Sequence, residues 1–290
     1  MSGASALQCL RSQAVVWETA AVRYRAAAFH LPRPSLQPAA CVVTRGPPSP
    51  ASSSKSTSSS SSAKAVAFSL STPHAQEESF GDIFANAVAE HKGPLTRVLH
   101  GIWRQQHRSG DVLVDATVGN GLDSKLLASL SLGDSALVHG FDVQKGAIEQ
   151  TRLCLEAEGL EINLHHCSHA LLASKLVACG VSKGTVGNIV FNLGYLPGSD
   201  KSVITKPTST LEAINQALPF LRGGGIISLL CYVGHEGGKD EYRQVTSRCK
   251  EICDEEAENS TWRMYEYDPH SEGKAPELCP KIVILLKTPS

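Results

Sequence analysis

One tract constrains this chain more than any other: Asp-Val-Leu-Val-Asp-Ala-Thr-Val-Gly-Asn-Gly-Leu-Asp, from Asp111 to Asp123. It reads as a short buried strand, Val112 to Val114, that ends on a carboxylate, Asp115. From there the chain passes through a turn carrying Gly119 and Gly121 into a helix. Glycine permits the sharp turn and lets a ligand approach the backbone closely, and a helix start offers unpaired N–H groups. The tract is the cradle of a nucleotide-type ligand.

The rest of the chain repeats that strand-to-helix step. Apolar runs at 136–141, 162–165, 187–193 and 225–233 alternate with helical periods over 122–132, 145–158, 170–178, 208–221 and 240–253. The run at 187–193 is nearly all apolar, as expected of a central strand covered on both faces. Two further strands, 264–267 and 282–286, have no helix between them. The expected fold class is α/β: a doubly wound, mostly parallel seven-stranded sheet with one antiparallel strand. Ahead of the cradle, residues 80–91 form a helical period, and Pro94 opens a second helix with Leu95, Val98, Leu99, Ile102 and Trp103 in one stripe. These two helices are expected to cover the edge or mouth of the sheet.

Charge separates a leader from a body. Residues 1–76 hold seven of the 27 Lys and Arg but one of the 28 Asp and Glu, and a serine tract runs from Ser52 to Ser62. An Arg-bearing, Ser-rich, acid-poor leader is the signature of an organelle transit peptide. The division expected is therefore 1–76, a disordered transit peptide and Ser-rich linker, and 77–290, one catalytic domain. Serine abundance favours the chloroplast, with the mitochondrion as the alternative. The body keeps 20 bases against 27 acids, a net charge of −7, which argues against broad non-specific binding to nucleic acid. Any RNA contact must come from a local patch such as Arg97, Arg104, His107 and Arg108, or Lys201 with Lys206. No run reaches the roughly 18–20 apolar residues of a membrane span. Cys249 and Cys253 share a helix face but have no second ligand pair, so no metal is expected.

Two ligand classes compete for the glycine turn. A dinucleotide fold wants G-x-G-x-x-G, with a pyrophosphate on the helix N-terminus. Only Gly119 and Gly121 are present here, and Asp123 would repel a pyrophosphate. A ligand with a cationic amino group and a sulfonium would instead be attracted by Asp115 and Asp123. Asp142 ends the second strand, where an acid accepts hydrogen bonds from ribose hydroxyls. The bland alternative is that these acids only cap turns and helices.

Five motifs occur in order: Asp115-Ala-Thr-Val-Gly-Asn-Gly-Leu-Asp123, Gly140-Phe-Asp-Val-Gln144, Phe191-Asn-Leu-Gly-Tyr-Leu-Pro-Gly-Ser-Asp-Lys201, Thr205-Lys-Pro-Thr208 and Tyr232-Val-Gly-His-Glu-Gly-Gly238. Over roughly residues 94–287 the chain resembles, as a plant organellar homologue, the family labelled putative rRNA methylase, the YtqB-like methyltransferases. The resemblance implies a Rossmann-like class I methyltransferase fold and S-adenosylmethionine (SAM) as donor. The acceptor implied is the exocyclic amine of 5-aminomethyluridine at the wobble position of tRNA. Carried over by position, the donor site would comprise Asp115, Thr117, Gly119, Asn120, Gly121, Asp123, Asp142, Gln144, Ser168 and His169. One departure stands after the third strand, where the family usually has Asp-Gly before a histidine and this chain has Cys167-Ser168-His169. Cys167 is a poor acceptor for an adenine amino group, which leaves that role to Ser168 or a backbone carbonyl.

The turn Asn192-Leu-Gly-Tyr195 follows the fourth strand and is similar to the Asn-Pro-Pro-Tyr motif of amino-directed methyltransferases. By that similarity Asn192 and the Leu193 carbonyl would hold the amine, and Tyr195 would pack on the uridine. An alkylammonium must lose a proton before it attacks, and His235 or His169 is the titrating group available for that. Alternatives of other classes are an rRNA or small-molecule methyltransferase, a nicotinamide oxidoreductase, and a non-catalytic RNA-binding or assembly protein with a vestigial fold. Oligomeric state stays open, a homodimer among the options.

Overall fold

The structure, a computed structural model, describes residues 79–289 except 91, 132–133, 135–136, 197–202 and 256–260. The expected transit peptide and linker, and Lys201, lie outside the described residues. Among the described residues fourteen helices and strands follow in order, with 3₁₀ turns at His169–Leu171 and Leu218–Phe220. They are α1 (Phe80–Ala89), α2 (Thr96–Gln106), β1 (Val112–Asp115), α3 (Leu122–Leu130), β2 (Val138–Asp142), α4 (Lys145–Glu156) and β3 (Asn163–His166). After these come α5 (Leu172–Ala178), β4 (Val186–Leu193), α6 (Pro207–Ala217), β5 (Leu221–Cys231), α7 (Gly238–Asp254), β6 (Trp262–Tyr267) and β7 (Lys281–Lys287).

The seven strands form one sheet in the order β3-β2-β1-β4-β5-β7-β6. β3, β2, β1, β4 and β5 are parallel, and β7 runs antiparallel to both of its neighbours. β7 is thus the one antiparallel strand that the sequence leads one to expect. The strand order reverses between β1 and β4, and an open α/β sheet binds its ligand at the carboxyl ends of the strands at such a point.

Alternation along the strands builds two cores. Phe191 and Leu193 of β4, Ile227 and Leu229 of β5, and Val283 and Leu285 of β7 face α5, α6 and α7. Val190, Ile226, Leu230, Ile282 and Ile284 face the other way, onto Leu127, Leu155 and the α2 stripe Val98, Leu99, Ile102 and Trp103. A period of two with both sets apolar is what a sheet covered on both faces requires. α2 therefore lies across a face of the sheet, not at its edge or mouth, because its buried stripe is wide enough to serve as core. Trp103 completes that seat by donating Nε1–H to Ser228 Oγ at 2.9 Å. α1 does sit by the edge: Phe80 and Phe84 pack on Tyr265 of β6, with ring centroids 4.9 and 5.4 Å apart.

The largest boundary difference from the sequence expectation lies ahead of β5. The helix expected over 208–221 ends at Ala217, a 3₁₀ turn Leu218–Phe220 follows, and β5 starts at Leu221, four residues early. Pro219 cannot donate to a helical carbonyl, which ends the α-helix. The register irregularity opposite Val186 and Asn188 then takes the three glycines Gly223 to Gly225 into the strand. Gly225 is required there, since a Cβ would come within 2.8 Å of the Val186 carbonyl.

Candidate active site

The carboxyl ends of β1 and β4 bring together most of the expected residues. β1 delivers Asp115 to a fully buried position, where its Oδ1 accepts from the Thr117 N–H at 3.1 Å and its Oδ2 from the Ser124 hydroxyl at 2.6 Å. Burial, and then the charge of Asp123, push the Asp115 carboxyl up to about 7. Asp115 thus locks the turn from within. The Thr117 hydroxyl accepts from the Asn192 N–H at 2.7 Å, tying the turn after β1 to the end of β4.

The glycines then form the rim of the turn, with Gly119 half-buried and Gly121 buried. Gly119 and Gly121 adopt φ of +53° and +78°, a region that side-chain-bearing residues rarely enter. A Cβ on Gly121 would also meet Thr151 Oγ1 at 2.7 Å, so α4 packs directly beneath the loop. Asn120 stands exposed between them. Asp142, at the end of β2, accepts from the Gly119 N–H at 2.9 Å and from the Gln144 N–H at 2.8 Å. A carboxylate has about four lone-pair sites, so roughly two of them remain for hydroxyl groups of a ligand.

Asp123 is the second residue of α3, where the helix dipole favours an anion. It is largely buried and accepts from two side chains. His100 Nε2 lies 2.5 Å from Oδ1, and the Asn192 amide nitrogen makes a short contact with Oδ2. A carboxylate only accepts, so Asn192 must turn Nδ2 toward it. That leaves Asn192 Oδ1 buried and without a hydrogen-bond partner. An unsatisfied buried acceptor is costly and calls for an explanation.

Tyr195 and His235 stand on the β4 and β5 sides of this point, their rings in an edge contact with centroids 5.9 Å apart. His235 Nδ1 donates to the Glu236 carbonyl at 2.8 Å, which fixes the tautomer and leaves Nε2 an acceptor. His235 Nε2 is the second buried acceptor here without a partner. Tyr195 pairs with Ile204 in an isolated antiparallel bridge, and the buried Glu241 accepts from the Thr205 and Thr210 hydroxyls at 2.6 and 2.8 Å.

Other expected residues are placed differently. The Leu193 carbonyl accepts from the Tyr232 N–H at 3.0 Å and keeps one lone pair, whereas Asn192 Oδ1 has no partner. His169 is buried, with Nδ1 3.1 Å from the Ala116 carbonyl and Nε2 3.3 Å from Ser209 Oγ; burial lowers its pKa. Ser168 caps the 3₁₀ turn by accepting from the Ala170 N–H. The basic patch expected on α2 divides. Arg97 is exposed one turn before His100. Arg108 and His107 instead flank Asp111, which Arg222 grips with two bonds of 2.6 and 2.7 Å at the far end of β1. His100, Thr151 and Ser124 were not marked by any local pattern, since their partners lie on other elements.

Among the described residues one other cluster could offer metal ligands. His139, His165 and Cys179 bring three ligand atoms within 4.8 Å of one another. The two imidazoles are nearly parallel and face each other with nitrogens 3.2 Å apart, the geometry of a shared hydrogen bond. No helix among the described residues is long and apolar enough to cross a membrane.

Comparison with known proteins matches these observations. The family described as putative rRNA methylase matches residues 138–277. A curated relative from Arabidopsis thaliana, "tRNA (mnm(5)s(2)U34)-methyltransferase, chloroplastic", is 36% identical over 191 residues, 62% of this chain and 68% of the relative. Among solved structures, a putative rRNA-methylase from Clostridium thermocellum aligns with a TM-score of 0.60 at 29% identity, covering 68% of this chain and 99% of that one. A putative methyltransferase from Streptococcus mutans, solved in complex with SAH, aligns with a TM-score of 0.57 at 29% identity over the same shares.

Proposed function

The chain belongs to the putative rRNA methylase family of SAM-dependent methyltransferases, and we propose that its acceptor is the exocyclic alkylamine of an aminomethylated wobble uridine in an organellar tRNA. The observation that carries this is Asn192 Oδ1: a buried acceptor without a partner, at the carboxyl end of β4, beside the glycine rim. An amine N–H is the group it would satisfy. The name of the Arabidopsis relative supports the same substrate, and its chloroplast location supports an organelle.

The residues present fit the donor. The rim at Gly119 to Gly121 admits a ligand against the backbone, Asp142 has acceptor capacity left for ribose hydroxyls, and Asp115, Asp123 and Asp142 make the surroundings suit a cation. SAM supplies a methyl group made electrophilic by its sulfonium. The chain's own work is to present the amine. Asn192 Oδ1 accepts one amine hydrogen and so aims the nitrogen lone pair. Tyr195 offers a ring face to the base, a contact worth roughly 1–3 kcal/mol. His235 Nε2, whose lone pair is set by the Nδ1–H bond to Glu236, takes the ammonium proton. Holding the two reactants in line could contribute ~7–11 kcal/mol.

The test is methyl transfer by the full-length protein from labelled SAM to three substrates: tRNA carrying 5-aminomethyluridine, the same tRNA lacking the aminomethyl group, and ribosomal RNA. Nucleoside mass spectrometry should find the label on the aminomethyl nitrogen of the first alone. Label on ribosomal RNA only, or on none of the three, would overturn the assignment.

A further inference from the structure

We propose that His100 is a positioning residue for methyl transfer: through Asp123 it fixes which end of the Asn192 amide faces the acceptor. The inference rests on the function proposed above. His100 lies on α2, before residues 138–277 that match the family, and it reaches the groups assigned to donor and acceptor through Asp123.

The geometry is a three-membered chain. His100 Nε2 meets Asp123 Oδ1 at 2.5 Å, and Asp123 Oδ2 receives Asn192 Nδ2. Because a carboxylate has no proton to give, the imidazole must present Nε2–H and the amide must present its NH2 end. An Asn side chain has nearly the same shape when flipped by a half-turn, so packing alone does not choose between its ends. The flipped amide would offer two N–H donors to an amine and repel the hydrogens it should accept. Asp123 is what makes Asn192 an acceptor, and His100 is what holds Asp123.

Packing does not need His100. Val98, Leu99, Ile102 and Trp103 supply the buried stripe of α2, whereas the His100 side chain keeps 25% of its surface exposed. Its ring leans on Trp103 with centroids 5.0 Å apart, and Trp103 is itself pinned to Ser228. The imidazole is thereby aimed at Asp123 from the rigid sheet face, 23 residues away in sequence. Asp123 is only 11% exposed, so water is a poor substitute for the lost donor.

The experiment compares His100→Ala, His100→Gln and Asn192→Ala, singly and as the double variant His100→Ala/Asn192→Ala, in the full-length protein. His100→Ala should lower kcat about tenfold or more, with donor affinity and acceptor KM within about threefold of wild type. His100→Gln, whose amide N–H can reach the same oxygen, should recover most of the rate. The double variant should be no slower than Asn192→Ala, as for residues acting through one unit. Two readouts need no turnover: nitrogen NMR should show His100 protonated at Nε2, and the Asn192 side-chain amide resonances should move in His100→Ala and return in His100→Gln. Wild-type kcat in His100→Ala, equal losses in the Ala and Gln variants, or an unprotonated Nε2 would overturn the proposal. If the wild type methylates none of the acceptors offered, the function assignment falls, and the two NMR readouts alone decide the role of His100.

Discussion

Asn192 donates its side-chain amide to Asp123, and the same amide thereby turns a buried oxygen, without a protein partner, toward the end of β4. If that oxygen receives the acceptor amine, its removal should affect the reacting complex more than donor binding. Asn192→Ala should lower kcat by about 10²–10³, the range for deleting one preorganised hydrogen-bonding group. Binding of S-adenosylhomocysteine, measured by calorimetry, should stay within about threefold. A large loss of that binding with little change in kcat would instead make Asn192 part of the donor site.

Asp115 gives a pH dependence with a definite sign. Burial and the Asp123 charge raise its carboxyl from 3.8 to about 7, so the folded protein holds this proton more tightly than the unfolded chain does. The resulting stability is fully present below about 3.8 and is lost as pH rises through about 7. Denaturant unfolding from pH 4 to 8 should show wild type losing stability relative to Asp115→Asn across that window. A constant difference between the two would show that Asp115 is ionised throughout. A cationic ligand on the rim favours the anion, so SAM binding near pH 7 should release protons, and more than S-adenosylhomocysteine binding does. Calorimetry in buffers of different ionisation enthalpy reads both.

Gly121 is the position in the rim least able to change. Its φ of +78° would cost another residue about 1–2 kcal/mol, and a Cβ would press on Thr151 at 2.7 and 2.9 Å. Gly121→Ala should therefore destabilise the protein by about 2–4 kcal/mol in denaturant unfolding, strain and overpacking together. Thr151→Ala in that background should recover part of the loss. No recovery would mean that the backbone angle, and not the contact with α4, sets the requirement.

The contrast between Gly121 and His100 shows what could be read from the chain and what could not. The rim is a local device: two glycines between a strand and a helix, with Asp115, Asp123 and Asp142 at strand and helix ends, all within a short span. Asn192 and Tyr195 were legible for the same reason, since an apolar strand runs straight into them. Local signals misled at Leu221, where glycines that usually end an element were taken into β5 by the irregular pairing with Val186. His100 carries no local signal at all. It sits one residue from a buried stripe, and its role arises only when folding brings Asp123 and then Asn192 to it. The bond from the Tyr232 N–H to the Leu193 carbonyl is likewise a matter of pairing with a neighbouring segment.

If tRNA is the acceptor, as proposed, an acidic body needs phosphate contacts close to the site, and Arg97 and Lys206 are exposed. Arg97 lies on the same face of α2 as His100, one turn nearer the helix start. Lys206 follows the Tyr195–Ile204 bridge and precedes α6, so it borders the Tyr195 side of the same site. Arg108 sits with Asp111 at the other end of β1 and serves as the control. Arg97→Ala and Lys206→Ala should each weaken tRNA binding and reduce the slope of log affinity against log salt by about 1, with kcat at saturating tRNA and SAM affinity little changed. Arg108→Ala should leave that slope alone. Salt titrations of tRNA binding by the full-length protein decide the matter: unchanged slopes in both variants would put the tRNA path on another face, and a changed slope in Arg108→Ala would extend it to the far end of the sheet.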